Sequence, residues 1–190
     1  MAFVKQITED PTPPVDSFTA FTAVSDGVIC RKPKKLERLV NQVADGKEIH
    51  YLSDGYFSLH DLVISLVKKY QPVDVFFTTY ALRELPVRQL AMCKTDGLIN
   101  EIHCVLDYKA QVRSAEVNAF AQKNFTTLCL KPIHAKVCVI RSADIDISIV
   151  GSANWTVNPK VEAGVLSCTK ESADFHISWI KKMISNERIF

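Results

Sequence analysis

From residue 47 onward, the hydrophobic positions of the chain alternate between two periods, one typical of strands and one typical of helices. The strand-type runs come in the order EIHYLSD, VDVFFTTY, LINEIHCVLDY, TTLCL, AKVCVIRS, IDISIVGS and EAGVLSCT. Helix-type segments separate the first four runs, and one more helix-type segment follows the last. Strands that alternate with helices favour an α/β fold. We therefore predict a mixed, largely parallel β-sheet with helices on both of its faces.

Local signals refine three of the helices and the last strands. Ser58 with Asp61 three residues later resembles a capping box, which predicts a helix start there. Pro86 is expected to bend or interrupt the next helix. The three late strands follow one another directly and should form a mixed or antiparallel part of the sheet. The final helix is expected to dock on the sheet through one apolar stripe, which comprises Phe175, Trp179, Ile180, Met183 and Ile184.

The first 46 residues differ in composition from the rest of the chain, so we predict an N-terminal extension over 1–46 and a folded domain over 47–190. Residues 1–26 carry prolines and a net negative charge, which favours an extended arm. A basic cluster and a short helix ending at Gly46 follow. A solvated basic face is the simplest interpretation of this cluster, but we also predict contacts with nucleic-acid phosphates by Arg31, Lys32, Lys34 and Lys35.

Composition excludes several classes of function. The chain has 190 residues, 47% of them hydrophobic, which suits one domain with a full core. Its 23 Lys and Arg nearly balance its 21 Asp and Glu, so nucleic acid would have to bind at a local patch. The six glycines are too dispersed for a dinucleotide-binding or P-loop motif. We find no export signal and no membrane span, and we therefore expect a cytoplasmic protein without membrane insertion.

The six cysteines form no C-x-x-C pair, and four of them lie in apolar strand-like runs. In a reducing compartment they are expected to be free thiols that act as small buried hydrophobes. A zinc site formed by Cys93, His103 and Cys104 is an alternative, although the spacing of these ligands is unsuitable.

Polar residues of interest concentrate between residues 134 and 167. His134 and Lys136 are separated by one residue, so on a strand their side chains would leave the same face, about 7 Å apart. The next strand-like run, IDISIV, leads directly into Gly151, Ser152 and Asn154.

This pattern resembles the signature of the phospholipase D superfamily, in which His-x-Lys is followed by Asp and then by Gly-Ser-x-Asn. Asp144 has the expected spacing to Gly151, but seven residues rather than four separate it from Lys136, which leaves Asp146 as a competing candidate. In the family this Asp mainly organises a turn. Glu162 matches the acidic residue that commonly orients the histidine.

The residue types also suit phosphodiester chemistry on physical grounds. Lys136 would supply positive charge to the non-bridging oxygens, Asn154 an amide donor and Ser152 a hydroxyl. A neutral His134 would attack phosphorus and form a phosphohistidine, while a second, protonated imidazole would protonate the leaving oxygen. We expect no metal and no other cofactor, because the sequence offers no suitable cluster of ligands.

The motif occurs once in the chain, whereas the family carries it twice or pairs two chains. The other histidines, at positions 50, 60, 103 and 176, have no lysine two residues on. The resemblance therefore implies a homodimer with one composite site on the symmetry axis.

The leading functional prediction is a metal-independent nuclease, with DNA favoured over RNA as substrate. A phospholipase or phosphatidyltransferase, and a non-cleaving nucleic-acid-binding module, are the alternatives. Trp155 is predicted to line the cleft and stack on a base or sugar, with simple packing as the alternative. Asp107 and Arg113 flank a turn where α/β proteins place ligands, but a helix cap and a surface ion pair explain them equally well.

Overall fold

A computed structural model describes residues 33–53, 55–110, 114–157 and 159–186, with side chains from residue 36 onward. The predicted arm over residues 1–26 lies outside the described residues. The helices are α1 (Pro33–Gln42), α2 (Leu59–Tyr70), α3 (Glu84–Thr95), α4 (Ala115–Asn124) and α5 (Lys170–Ser185). The strands are β1 (Glu48–Leu52), β2 (Val73–Thr79), β3 (Ile99–Asp107), β4 (Thr127–Lys131), β5 (Val137–Arg141), β6 (Asp146–Gly151) and β7 (Ala163–Ser167).

The seven strands form one mixed sheet in the order β1-β7-β6-β5-β2-β3-β4. The α/β class and the mixed sheet confirm the prediction, but the expectation that the sheet is largely parallel is wrong. Only the β2–β3 and β3–β4 pairings of this sheet are parallel, and the other four are antiparallel. The late strands extend the sheet as an antiparallel meander, and β5 joins β2 in the opposite direction.

Helices cover both faces of the sheet, as the sequence predicts. The alternation of side chains along β2 and β5 shows why. Phe77 and Cys138 belong to the large core beneath α1 to α4, whereas their neighbours Phe76 and Val139 belong to a second core beneath α5. Apolar side chains on both faces of a strand are typical of strands that are buried between two helical layers.

Two local expectations are corrected by the structure. Helix α3 begins at Glu84, so Pro86 lies in its first turn, where a missing N–H costs nothing, and it does not interrupt the helix. Helix α5 docks on the sheet through Ile180, Trp179, Met183 and Ile184, as predicted. Phe175 is instead 66% exposed, and Ala173 and Ile177 complete the buried face. The capping box is confirmed, because the Asp61 carboxylate accepts hydrogen bonds from both the backbone N–H and the hydroxyl of Ser58.

The cysteines within the described residues are free thiols, and all but the half-buried Cys129 are buried. Burial raises the pKa of Cys104, Cys138 and Cys168. The alternative zinc site is not formed, because His103 and Cys104 are consecutive on β3 and point to opposite faces. The His103 ring stacks on Phe76 on the α5 side, whereas Cys104 lies in the large core.

The mixed directions of the strands gather many chain connections at one edge of the sheet. The parallel strands β2, β3 and β4 end there, β6 ends beside them, and β5 and β7 begin there. We call this the motif edge, because the sequence motif lies on it.

Candidate active site

The antiparallel β5–β6 hairpin brings the two halves of the motif together. Val137, the first residue of β5, pairs with Val150 near the end of β6. One position further out, the N–H of Gly151 donates to the carbonyl of Lys136 over 3.2 Å. The His-x-Lys segment and the Gly-Ser-x-Asn segment therefore lie side by side at the motif edge.

His134 and Lys136 precede β5 and are not strand residues, because β5 begins at Val137. Their side chains are consequently much closer than a strand would place them. The Lys136 Nζ lies 3.5 Å from each ring nitrogen of His134 and donates to the His134 carbonyl over 2.7 Å. The His134 side chain is exposed, and Lys136 is half-buried. A cation thus stands directly beside an accessible imidazole.

Partial burial lowers the pKa of the Lys136 ammonium below that of an ordinary lysine, and the negative charge of Glu162 opposes part of this effect. The ammonium is thus less solvated than a surface lysine. A less solvated cation interacts more strongly with an anionic ligand.

Asn154 is oriented by the end of β2. Its Oδ1 accepts a hydrogen bond from the backbone N–H of Tyr80 over 3.2 Å and one from the Thr79 hydroxyl over 3.3 Å. Because the oxygen of the amide faces β2, its NH2 group is the half directed away from that strand. This orientation suits the predicted role of Asn154 as an amide donor.

Ser152 and Glu162 meet where β6 runs beside β7. The Ser152 hydroxyl donates to the Glu162 carboxylate, and the Ala163 N–H donates to the same hydroxyl over 3.1 Å. The two backbones approach so closely that a Cβ at Gly151 would lie 2.7 Å from the Ala163 carbonyl oxygen. Gly151 is therefore required for this approach. The orienting action of Glu162 on His134 stays a prediction.

Tyr80 also lies at this site, although no sequence motif identifies it. Its ring centroid lies 5.2 Å from that of His134 and 5.9 Å from the Lys136 Nζ. The signal available in the sequence was its place as the first residue after the buried run VDVFFTT.

The loop that carries His134 is held by two buried side chains from neighbouring strands. Thr78 donates through its hydroxyl to the carbonyl of Ala135 over 3.0 Å. The Asp107 carboxylate accepts from the N–H of Ile133 over 3.0 Å and from the N–H of Lys109 over 2.9 Å. Asp107 therefore supports two turns at once, in keeping with the capping alternative, while Arg113 lies outside the described residues.

Asp144 lies far from these groups, in the exposed turn at the other end of the β5–β6 hairpin. There Ser142 organises the turn by accepting hydrogen bonds from the N–H groups of Asp144 and Ile145. Asp146 makes an ion pair with Arg141 across the hairpin over 2.7 Å. The charged contact at this turn is thus made by the competing candidate, Asp146.

Trp155 does not line the cleft, and the prediction that it stacks on a base or sugar is wrong. Its side chain is fully buried, and its ring centroid lies 4.3 Å from that of Phe77 in the core. The alternative of simple packing is correct, because the chain turns inward after Asn154.

The side chains of the four basic residues that were predicted to contact nucleic acid are not among those that the structure describes. Arg31 and Lys32 precede the described residues, and Lys34 and Lys35 lie in α1 without described side chains. Within the described ranges, no group of three or more His, Cys, Asp or Glu side chains is arranged to hold a metal ion. No helix in this part of the chain is both long and apolar enough to cross a bilayer.

Two solved structures have a fold similar to that of this chain. The chain is similar to Nuc from Salmonella typhimurium, described as a phospholipase D family member, with a TM-score of 0.57 and 15% identity. The match covers 74% of this chain and 97% of that one. A second similar structure is polyphosphate kinase from Porphyromonas gingivalis, with a TM-score of 0.52 and 12% identity over 75% of this chain and 26% of the kinase.

No protein-family model and no curated protein sequence matches the chain. At these identities the structural likeness concerns the fold. The chain shares its fold with Nuc, a phospholipase D family member, as the resemblance of its motif implied.

The hydrogen bonds of Asp107 lead to a stability prediction. Replacing Asp107 by Ala leaves the N–H groups of Ile133 and Lys109 without their acceptor, which should cost about 1–3 kcal/mol in the free energy of unfolding. Urea denaturation measures this cost. Asp144→Ala, an exposed carboxylate on the same sheet, is the matched control and should change stability by less than about 0.5 kcal/mol. Equal effects of the two substitutions would contradict the role given to Asp107.

Proposed function

We propose that the chain is a metal-independent phosphodiesterase, most specifically a nuclease, that works through a phosphohistidine in a site shared by two subunits. The observation that carries this proposal is the convergence of His134, Lys136, Ser152 and Asn154 at one edge of the sheet. An accessible imidazole there has a cation within 3.5 Å of its ring nitrogens. This arrangement suits nucleophilic attack on an anionic phosphodiester, whose charge the cation would offset.

In the first step, a ring nitrogen of His134 forms a bond to phosphorus while the bond from phosphorus to the leaving oxygen breaks. The imidazolium of His134 of the partner subunit gives its proton to that leaving oxygen. Lys136 and the Asn154 amide hold the non-bridging oxygens, on which negative charge concentrates. In the second step, water attacks the phosphohistidine and gives a proton to the partner's imidazole, which restores both rings.

A second subunit enters the proposal because this chemistry needs two imidazoles and the motif supplies one. His134 lies at an exposed position on the motif edge, which a two-fold axis can bring face to face with its own copy. The cytoplasmic location and the independence from cofactors stay predictions.

Activity assays in EDTA test the function directly. The purified protein should hydrolyse a bis-aryl phosphodiester and cleave nucleic acid, and His134→Ala should lower both rates by at least about 100-fold, because nucleophile and general acid are lost together. His50→Ala, which removes a histidine on the outer strand β1, is the control and should retain activity. Preferential cleavage of phospholipid would favour the lipase alternative. Binding of nucleic acid without any hydrolysis would favour the non-cleaving module.

The lowered pKa of Lys136 predicts a feature of the pH profile. Because burial favours the neutral amine, Lys136 should lose its proton below the ordinary lysine value of about 10.4. The alkaline limb of log kcat/KM should then gain one further unit of downward slope before that pH. Lys136→Arg keeps its charge and should not show this additional fall. Identical alkaline limbs for the two proteins would refute the charge role of Lys136.

A further inference from the structure

Aromatic and basic side chains extend from the catalytic residues along the ends of three adjacent strands. Tyr80 follows β2, Tyr108 and Lys109 follow β3, and Lys131 is the last residue of β4. These three strands are parallel and adjacent in the sheet, so the ends of neighbouring strands lie about 4.8 Å apart. We call these four residues the tyrosine–lysine row. It begins at the ring of His134 and runs toward the β4 margin.

The row presents both chemical features that nucleotides recognise. Tyr108 is 48% exposed, although tyrosine is a residue that readily packs inward. The Nζ of Lys109 lies 5.9 Å from the centroid of the Tyr108 ring. Lys131 carries a further positive charge and donates a hydrogen bond to Asn186. An exposed aromatic face beside ammonium groups is suited to stack a base while pairing with phosphates.

The row is also held rigidly relative to the catalytic histidine. The buried carboxylate of Asp107 binds the N–H of Lys109 on one side and that of Ile133, next to His134, on the other. The N–H of Tyr108 donates to the carbonyl of Lys131 over 3.2 Å. A ligand that touches both Tyr108 and His134 therefore meets a preformed surface. The Asp107 carboxylate is buried beneath the row, and both of its oxygens accept hydrogen bonds from backbone N–H groups.

We propose that the tyrosine–lysine row binds the unpaired nucleotides that flank the scissile phosphodiester, so that the preferred substrate is single-stranded nucleic acid. This inference rests on the proposed phosphodiesterase function and adds its substrate class. Stacking on Tyr108 requires a base with a free face, and in a duplex both faces of an internal base are occupied by its neighbours. A duplex would reach the row only through its backbone.

Binding in a His134→Ala background tests the row without cleavage. Fluorescence anisotropy would follow a fluorescein-labelled oligo-dT 12-mer and a labelled 12-base-pair duplex at several salt concentrations. Adding Tyr108→Ala should weaken single-strand binding about 5- to 100-fold, the worth of one stacked base, and should leave the weaker duplex binding nearly unchanged. Lys109→Ala should reduce the salt slope of single-strand binding by roughly 0.7. Phe175→Ala, which removes an even more exposed aromatic side chain on α5, is the matched control and should have no effect.

The outcomes separate this inference from the proposed function. Tighter binding of the duplex, equal binding by Tyr108→Ala and Phe175→Ala, or no binding of the single strand would each overturn the row. Hydrolysis of a bis-aryl phosphodiester by the unaltered protein tests the phosphodiesterase independently, because that substrate has no flanking nucleotides. Tyr108-dependent binding without such hydrolysis would support the role of the tyrosine–lysine row in binding and would refute the proposed phosphodiesterase activity.

Discussion

The antiparallel pairing of β5 with β6 is the constraint on which the candidate site depends. It places the residues before β5 beside the residues after β6, and so joins two sequence segments that are more than ten residues apart. The same pairing sends Asp144 to the far end of the hairpin. Because side chains alternate along a strand, a register slip of one residue would turn each buried position of β5 to the other face. The cores on both faces of the sheet therefore fix the register that assembles the site.

Around this hairpin, the ends of β2 and β3 supply a supporting set of buried polar groups. Thr78 and Asp107 hold the loop that carries His134, and Asn154 is oriented by Thr79 and Tyr80 at the end of β2. In the proposed mechanism, such groups would fix the donors and the nucleophile before a substrate arrives, so that little reorganisation is needed when charge moves. The arrangement explains why the exposed His134 can have a defined position. Asp107 fixes the position of the tyrosine–lysine row in the same way, because it also binds the N–H of Lys109.

The sequence predicted the α/β class and the strands, because both depend on local periodicity. The two motif segments, found by their spacing along the chain, lie side by side in the fold. Strand direction could not be predicted in this way. Strand β5 lies beside β2 and runs antiparallel to it, and this arrangement depends on tertiary packing rather than on local periodicity. Trp155 was misassigned because its burial against Phe77 depends on how the chain turns after Asn154. Tyr80 lacked a motif, although both it and Asp107 stand where a buried strand gives way to a loop, a place worth inspecting in any α/β sequence.

The central claim is that one phosphorus atom is served by His134 from two subunits. Co-refolding unaltered chains with His134→Ala chains in varied ratios, and measuring hydrolysis of a bis-aryl phosphodiester, tests it most directly. Since mixed dimers would hold one imidazole, activity should fall as the square of the unaltered fraction, to about one quarter for an equal mixture. A linear fall, to about one half, would mean that each subunit works alone and would contradict the shared site.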